Sequence, residues 1–276
     1  MKRFSIGILA ICLIITLVSC RSDKKFIVRG NIEFEKENYK SAIDYYKKAL
    51  ELNPESWEAY YNIALAKSNM NNDTGAIADY SMSAKLNPKE NVNIYINRGA
   101  IYLKLKQYDQ ALADYITAQS MNPSNKEIYL SIGIVYQAQK AYDKALEQFD
   151  LALKKDSMYA MAFSHKAYVY LLKEDYPTAL AELQKGLKID SNDAVMYSNL
   201  GYTKLKLGKT EEALADINHS ITLKKDNSWA YKNRAMVYLA MKNNQAACKD
   251  LQKAIELGYS NQYDNQADSL LKATCK

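Results

Sequence analysis

The chain has 276 residues, 48% of them hydrophobic and 25% charged, which supplies enough apolar surface for a core and excludes disorder as the main state. With 9 Gly and 4 Pro it is neither collagen-like nor a Gly/Ser-rich chain, and a fold of many strands and tight turns is disfavoured. The net charge of +6 is too mild and too scattered to mark a nucleic-acid-binding surface, so no nucleic-acid partner is expected.

Lys2 and Arg3 precede an uncharged, mostly apolar run from Phe4 to Val18. Fifteen residues are short for a membrane-spanning helix, which needs about 20, but suit the apolar segment of a secretory signal. The run ends in Leu17-Val18-Ser19-Cys20, which resembles the lipobox of bacterial lipoproteins. The resemblance implies that residues 1–19 are a signal peptide removed after Ser19 and that Cys20 is the lipidation site. Residues 20–25 would then form the lipidated cysteine and a short tether. Two or more acyl chains make stable anchoring. The expected location is therefore the bacterial cell envelope. Arg21, standing where Asp would retain a lipoprotein on the inner membrane, favours the outer membrane facing the periplasm.

From residue 26 onward one unit repeats. Ala42, Ala76, Ala111, Ala145, Ala179, Ala213 and Ala247 recur every 34 or 35 residues. A second small column, Ala49, Ser83, Ala118, Ala152, Gly186, Ser220 and Ala254, runs in step, and so does a third, Gly30, Ala64, Gly99, Gly133, Ala167, Gly201 and Ala235. An aromatic column, from Phe26 and Tyr60 to Tyr197 and Tyr231, precedes the third by four residues. Within each unit the apolar spacing follows i, i+4, i+7, as in Tyr95, Gly99 and Tyr102, the stripe of an amphipathic helix. Polar breaks such as Lys106-Gln107 divide each unit into two helices of about a dozen residues. Asn53-Pro54, Asn87-Pro88 and Asn122-Pro123 close the first three, since the residue before Pro avoids the helical region. The small columns predict close helix approach, with an aromatic ring filling the notch beside each.

The unit resembles the tetratricopeptide repeat, matched in the third unit by Tyr95, Gly99, Tyr102, Tyr108, Ala111, Tyr115, Ala118 and Pro123. The resemblance implies an all-α fold, a right-handed α-solenoid of about seven helix pairs over residues 26–259, with residues 260–276 as a capping helix. In such folds the first helices line a concave groove. The column facing it here reads Asn62, Asn97, Ser131, His165, Asn199 and Asn233, flanked by Tyr61, Tyr168, Tyr202 and Trp229. An amide carries both a donor and an acceptor, so this column could clamp the backbone of an extended peptide. It could equally hold adjacent first helices together. The cationic clamp that some relatives use for acidic tails is not expected, because Ile27, Asn93, Ser164 and Trp229 occupy the positions that would need cations.

Two histidines, His165 and His219, lie on different helices, and no His-Glu-x-x-His, Cys-x-x-Cys or glycine-rich phosphate loop occurs. No catalytic residue, metal site or cofactor is expected, and no enzymatic activity. The expected function is a membrane-anchored protein–protein interaction scaffold of the bacterial envelope, binding a protein or peptide partner in its groove. The alternative is a glycan-contacting accessory subunit of an envelope enzyme or carbohydrate system, since tyrosine faces can stack on sugars.

With Cys12 in the signal and Cys20 lipidated, Cys248 and Cys275 remain, an even pair in an oxidising compartment. Cys248 is in line with Leu251 and Ile255 on the last second helix, which should stop at Gly258. After a turn through Asn261 to Asp264, the stripe Ala267, Leu270, Leu271 and Cys275 would run back antiparallel over the exposed end. At 1.5 Å per residue the two thiols come roughly level, which permits a disulfide; two separate thiols are the alternative.

Overall fold

The computed structural model describes residues 23–87, 89, 91–262 and 265–275. Residues 1–19 and Cys20 lie outside this range. Its elements are α1 over residues 23–35, followed by α2 Tyr39–Leu52, α3 Trp57–Asn69, α4 Asp73–Leu86, α5 Val92–Lys104, α6 Tyr108–Met121, α7 Lys126–Ala138 and α8 Tyr142–Lys155. The second half adds α9 Ala160–Leu172, α10 Tyr176–Ile189, α11 Ala194–Lys206, α12 Thr210–Leu223, α13 Ser228–Ala240, α14 Asn244–Glu256, α15 Tyr259–Gln262 and α16 Gln266–Thr274. Among the described residues there is no strand, and no helix is long and apolar enough to cross a membrane.

The chain divides into two compact bodies, residues up to Ser131 and residues from Ile132 onward. In the first, α3 packs on α4 and α5 on α6, with α2 against α3 and α4 against α5. In the second, α9 pairs with α10, α11 with α12 and α13 with α14, and each second helix also contacts the first helix that follows.

The small columns do what their size permits. Each alanine of the Ala42-to-Ala247 column is fully buried, and so are Ala49, Ser83, Ala118, Ala152, Ser220 and Ala254. Ser83 and Ser220 donate from Oγ to the carbonyls of Trp57 and Ala194 at 2.9 and 2.6 Å, satisfying their hydroxyls where no water reaches. The side chain that covers each notch comes from the second helix of the same repeat: Tyr46, Tyr80, Tyr115 and Phe149 early, then Leu183, Ile217 and Leu251, all essentially buried. A Cβ at Gly133 would lie 2.4 Å from a ring carbon of Phe149, so that glycine is required by contact. Burying each of these large side chains contributes about 1.5–3 kcal/mol.

First helices end in one recurring turn. Glu37, Asn71, Lys106, Lys140, Glu174 and Lys242 all have φ near +60°. The following amide reaches back to the carbonyl five residues earlier, as Gln107 does to Tyr102 at 2.8 Å. Each left-handed non-glycine residue costs roughly 1 kcal/mol; at the equivalent position Gly208, with φ +77°, avoids it. Second helices end on Asn53, Asn87 and Asn122 as the Asn-Pro pairs predict.

A seam of ion pairs joins the two helices of a repeat, and the apolar columns gave no hint of it. Acids three residues after the alanine column meet a cation from the first helix: Asp79 with Lys67, Asp114 with Arg98, Glu182 with Lys166, Asp216 with Lys204 and Asp250 with Arg234. The two arginine pairs are bidentate, with all four nitrogen–oxygen distances between 2.7 and 2.8 Å.

Two boundaries differ from those read in the sequence. Residues 23–25, expected to be tether, are already helical, because the Asp23 carboxylate accepts from the Lys24 amide at 2.7 Å and from Asn53 Nδ2 at 2.9 Å, docking α1 on the end of α2. In the C-terminal cap, residues 260–276, a short helix stands where the turn through Asn261 was expected to begin. Gly258, with φ +82°, turns the chain sharply after α14, the short α15 follows, and α16 begins only at Gln266. α16 packs on α14 through Ala267, Leu270 and Leu271. Cys275, at its C-terminal end, is bonded to Cys248 with a Cα–Cα separation of 5.8 Å.

Candidate functional site

The polar column on the first helices is mostly turned to neighbouring helices. In the N-terminal body, Asn62 on α3 donates from Nδ2 to Asn31 Oδ1 on α1 at 3.2 Å. That same oxygen accepts from Tyr46 Oη at 2.8 Å. Asn97 on α5 donates to Tyr61 Oη on α3 at 3.2 Å, and Tyr61 also lies against the Tyr80 ring, centroids 5.8 Å apart. Ser131 donates to the Glu127 carbonyl of its own helix at 2.9 Å.

In the C-terminal body, Asn233 is fully buried and donates to Ser198 Oγ at 3.1 Å. It therefore cannot meet a ligand, and its expected place in the groove is corrected: a side-chain amide that ties α13 to α11 is covered by the helices it joins. Asn199 is 4% exposed and accepts from Trp229 Nε1 at 3.2 Å. A uniform ladder of open amides is thus absent among the described residues; the amides act largely as inter-helix ties.

What the fold does assemble is a cavity of about 280 Å³. Its walls bring together four of the sequence-predicted residues, His165 and Tyr168 from α9, Asn199 from α11 and Trp229 from α13, with Gln137, Ser164, Val195 and Asn227. Trp229 is held from several sides. Tyr168 meets its ring edge-on at a centroid distance of 6.3 Å, Tyr259 stacks on it at 5.7 Å, and the Lys232 ammonium lies 5.2 Å from its centroid. Tyr202 is not part of the cavity wall, but the same ammonium lies 5.4 Å from its ring centroid. An indole fixed before binding loses little entropy when a partner contacts it.

His165 packs near the Phe149 ring, centroids 5.5 Å apart, with Nδ1 3.5 Å from Gln137 Oε1. Burial pushes its pKa down, opposed in part by the charge of Asp193, so the imidazole is neutral at pH 7. The second histidine, His219 on α12, sits edge-on to Tyr197 at 4.4 Å. The cavity's polar groups are amides, hydroxyls and one neutral imidazole, a set that binds and orients but carries no charge.

Three residues were not singled out by the repeat pattern. Tyr259, assigned only as the last residue of the repeats, is fully buried beneath Trp229. Met161 and Val195 are 51% and 50% exposed. They occupy the position of Trp229 in the two preceding repeats, 34 residues apart, whereas the earlier repeats carry Lys24, Glu58, Asn93 and Glu127 there. That change from polar to apolar was visible in the sequence and marks the C-terminal repeats as different.

Models of the tetratricopeptide repeat match residues 30–71 and 167–208, 92–125, and 58–90, 194–227 and 230–257. A DnaJ homolog subfamily C member 7 homolog from Dictyostelium discoideum is 33% identical over 115 residues, 40% of this chain and 21% of that protein. Hsp70-Hsp90 organizing protein 3 of Arabidopsis thaliana is 28% identical over 99 residues, 36% of this chain and 18% of that protein. The chain thus spans about a fifth of the length of these curated relatives. Among solved structures, a tetratricopeptide repeat protein from Parabacteroides merdae superposes with a TM-score of 0.79 at 23% identity, covering 93% of this chain and 100% of that one. Helix pairs recurring every 34 or 35 residues, together with these matches, establish that the chain has the all-α, α-solenoid fold and belongs to the tetratricopeptide-repeat family, whose repeats mediate protein–protein interaction.

Proposed function

We propose that this protein is a lipid-anchored interaction scaffold of the bacterial envelope that holds a partner peptide or protein on the first-helix face of its C-terminal body. The observation that carries the reading is the cavity around Trp229, whose indole is fixed by Asn199, Tyr168 and Tyr259, with Val195 half exposed at its wall. Fixed aromatics beside exposed aliphatic side chains suit an apolar anchor residue of a bound segment. Localisation rests on the Lys2-Arg3 start, the apolar run and the Ser19-Cys20 box. The Cys248–Cys275 bond fits an oxidising compartment such as the periplasm, and Arg21 favours the outer membrane.

A photo-cross-linking residue at Val195, introduced in intact cells, should capture a partner protein, and Trp229→Ala should reduce that capture at least tenfold. Asn62→Ala with Asn97→Ala should leave it unchanged. Recovery of glycan without protein would support the accessory-subunit reading instead. The anchor is tested separately: the full chain should incorporate labelled fatty acid, and Cys20→Ser should abolish the label. Persistent labelling of that variant would overturn acylation at Cys20.

A further inference from the structure

The first helix leaves open a face that later first helices bury. The position of Ile32 recurs as Ala66, Ile101, Val169 and Val237, at 5% exposure or less; Ile32 itself is 46% exposed. The position of Lys25 recurs as the buried Ala59, Ile94, Ala162, Met196 and Ala230. Val28, in the column of inter-helix amides, is 56% exposed. Lys25, Val28, Arg29 and Ile32 follow i, i+3, i+4, i+7 and so share one face, and Lys24, Lys25 and Arg29 are all exposed.

We propose that this face of α1 rests on an anionic phospholipid surface, with Val28 and Ile32 entering the interface and Lys24, Lys25 and Arg29 meeting headgroup phosphates. The proposal rests on the reading of Cys20 as the acylated residue. Cys20 stands three residues before Asp23, so the intervening chain spans no more than about 10 Å, and lipid at Cys20 holds α1 against the bilayer. Charge selects the occupant. A second copy docking through the same face would gather two sets of Lys24, Lys25 and Arg29 in one interface, with Glu35 the one exposed acid of each α1 to offset them, a net repulsion. Anionic headgroups complement them, and two exposed aliphatic side chains among cations form the pattern of an interfacial helix. A terminal repeat needs its outer face solvated or covered; here the membrane covers it.

Every contact described above lies within residues 23–275, so residues 20–276 carrying Cys20→Ser retain them all. That chain should co-sediment with vesicles of phosphatidylcholine and phosphatidylglycerol, weakly with phosphatidylcholine alone, and less as salt rises. Each cation near such a surface changes partitioning about fivefold, so Lys25→Glu with Arg29→Glu should reduce binding at least about 25-fold. Val28→Ser with Ile32→Ser should reduce it several-fold, and both pairs are exposed enough to leave the circular dichroism unchanged. Equal binding to both vesicle types, or charge variants that bind like the parent, would overturn the proposal. So would a dimer in sedimentation equilibrium that Ile32→Ser dissolves, since a second copy would then own the face. Because the probe carries no acyl group, its failure says nothing of Cys20, which fatty-acid labelling of the full chain reports independently.

Discussion

Reducing the Cys248–Cys275 bond, or replacing both residues by serine, should lower the stability of the terminal repeat and its cap by about 3–4 kcal/mol. The bond spans 27 residues, and a loop of that length loses about this much chain entropy in the unfolded state when it is closed. The effect should not stop at the bond. α16 is a nine-residue helix, too short to persist alone, and holds to α14 through Ala267, Leu270 and Leu271. Tyr259 belongs to the same cluster and stacks on Trp229. Loosening the cap should therefore expose Trp229 at the cavity wall. Trp57 and Trp229 are the two tryptophans of the chain, so a Trp57→Phe background makes Trp229 the reporter. Dithiol reduction should shift its emission to the red and raise acrylamide quenching about twofold, with helical content nearly retained. Mass spectrometry without reductant should find the two cysteine peptides joined. Alkylation of both thiols in the folded, oxidised protein would refute the bridge, and a Trp229 signal indifferent to reduction would refute its link to the cavity.

Asp114→Ala and Asp250→Ala should each destabilise their own body by roughly 3 kcal/mol. Each leaves a largely buried guanidinium without its carboxylate, and an unpaired buried charge costs more than the pair contributes. The surroundings offer partial relief only. Arg98 keeps a 2.9 Å hydrogen bond to Ser81 Oγ and lies near the rings of Tyr95 and Tyr102. Arg234 keeps one of 2.8 Å to Asn218 Oδ1 and lies near Tyr231 and Tyr238. Removing both charges together, as in Arg98→Met with Asp114→Leu, should cost far less than Asp114→Ala alone, because no ion is then left desolvated. Urea titration of the single and double variants measures the difference. A double variant as unstable as the single one would show that the pair holds the helices by geometry and not by charge compensation.

Repeat number, helix pairing and the core columns were legible in the sequence, because a period of 34 or 35 residues with small residues at fixed offsets admits little besides stacked helical hairpins. Helix ends at Asn53, Asn87 and Asn122 were equally plain, since the restriction before proline is local. The course of the cap was half legible. Cysteine spacing permitted the bond and Gly258 marked the end of α14, yet the short α15 that holds the buried Tyr259 depends on what lies beneath it. The seam of acids and cations was missed because its partners stand 16 residues apart in Arg98–Asp114 and Arg234–Asp250, but 12 apart in Lys67–Asp79 and Lys204–Asp216, so no single offset reveals it.

The polar column on the first helices shows most clearly what sequence and tertiary structure each decide. From sequence, Asn62, Asn97, Ser131, His165, Asn199 and Asn233 are equivalent, because the periodicity gives them one register on one face. In three dimensions they part. Asn233 is sealed between α11 and α13, Ser131 turns to its own helix, and Asn62 and Asn97 tie adjacent first helices. His165 and Asn199 border a cavity because Tyr168, Val195 and Trp229 stand around them. Register is set by bonds along the chain, which a repeat displays openly. Exposure and hydrogen-bond partners are set by side chains roughly 30 residues away in the next repeat, and only their packing decides which polar group is spent inside the fold and which is left to meet a partner.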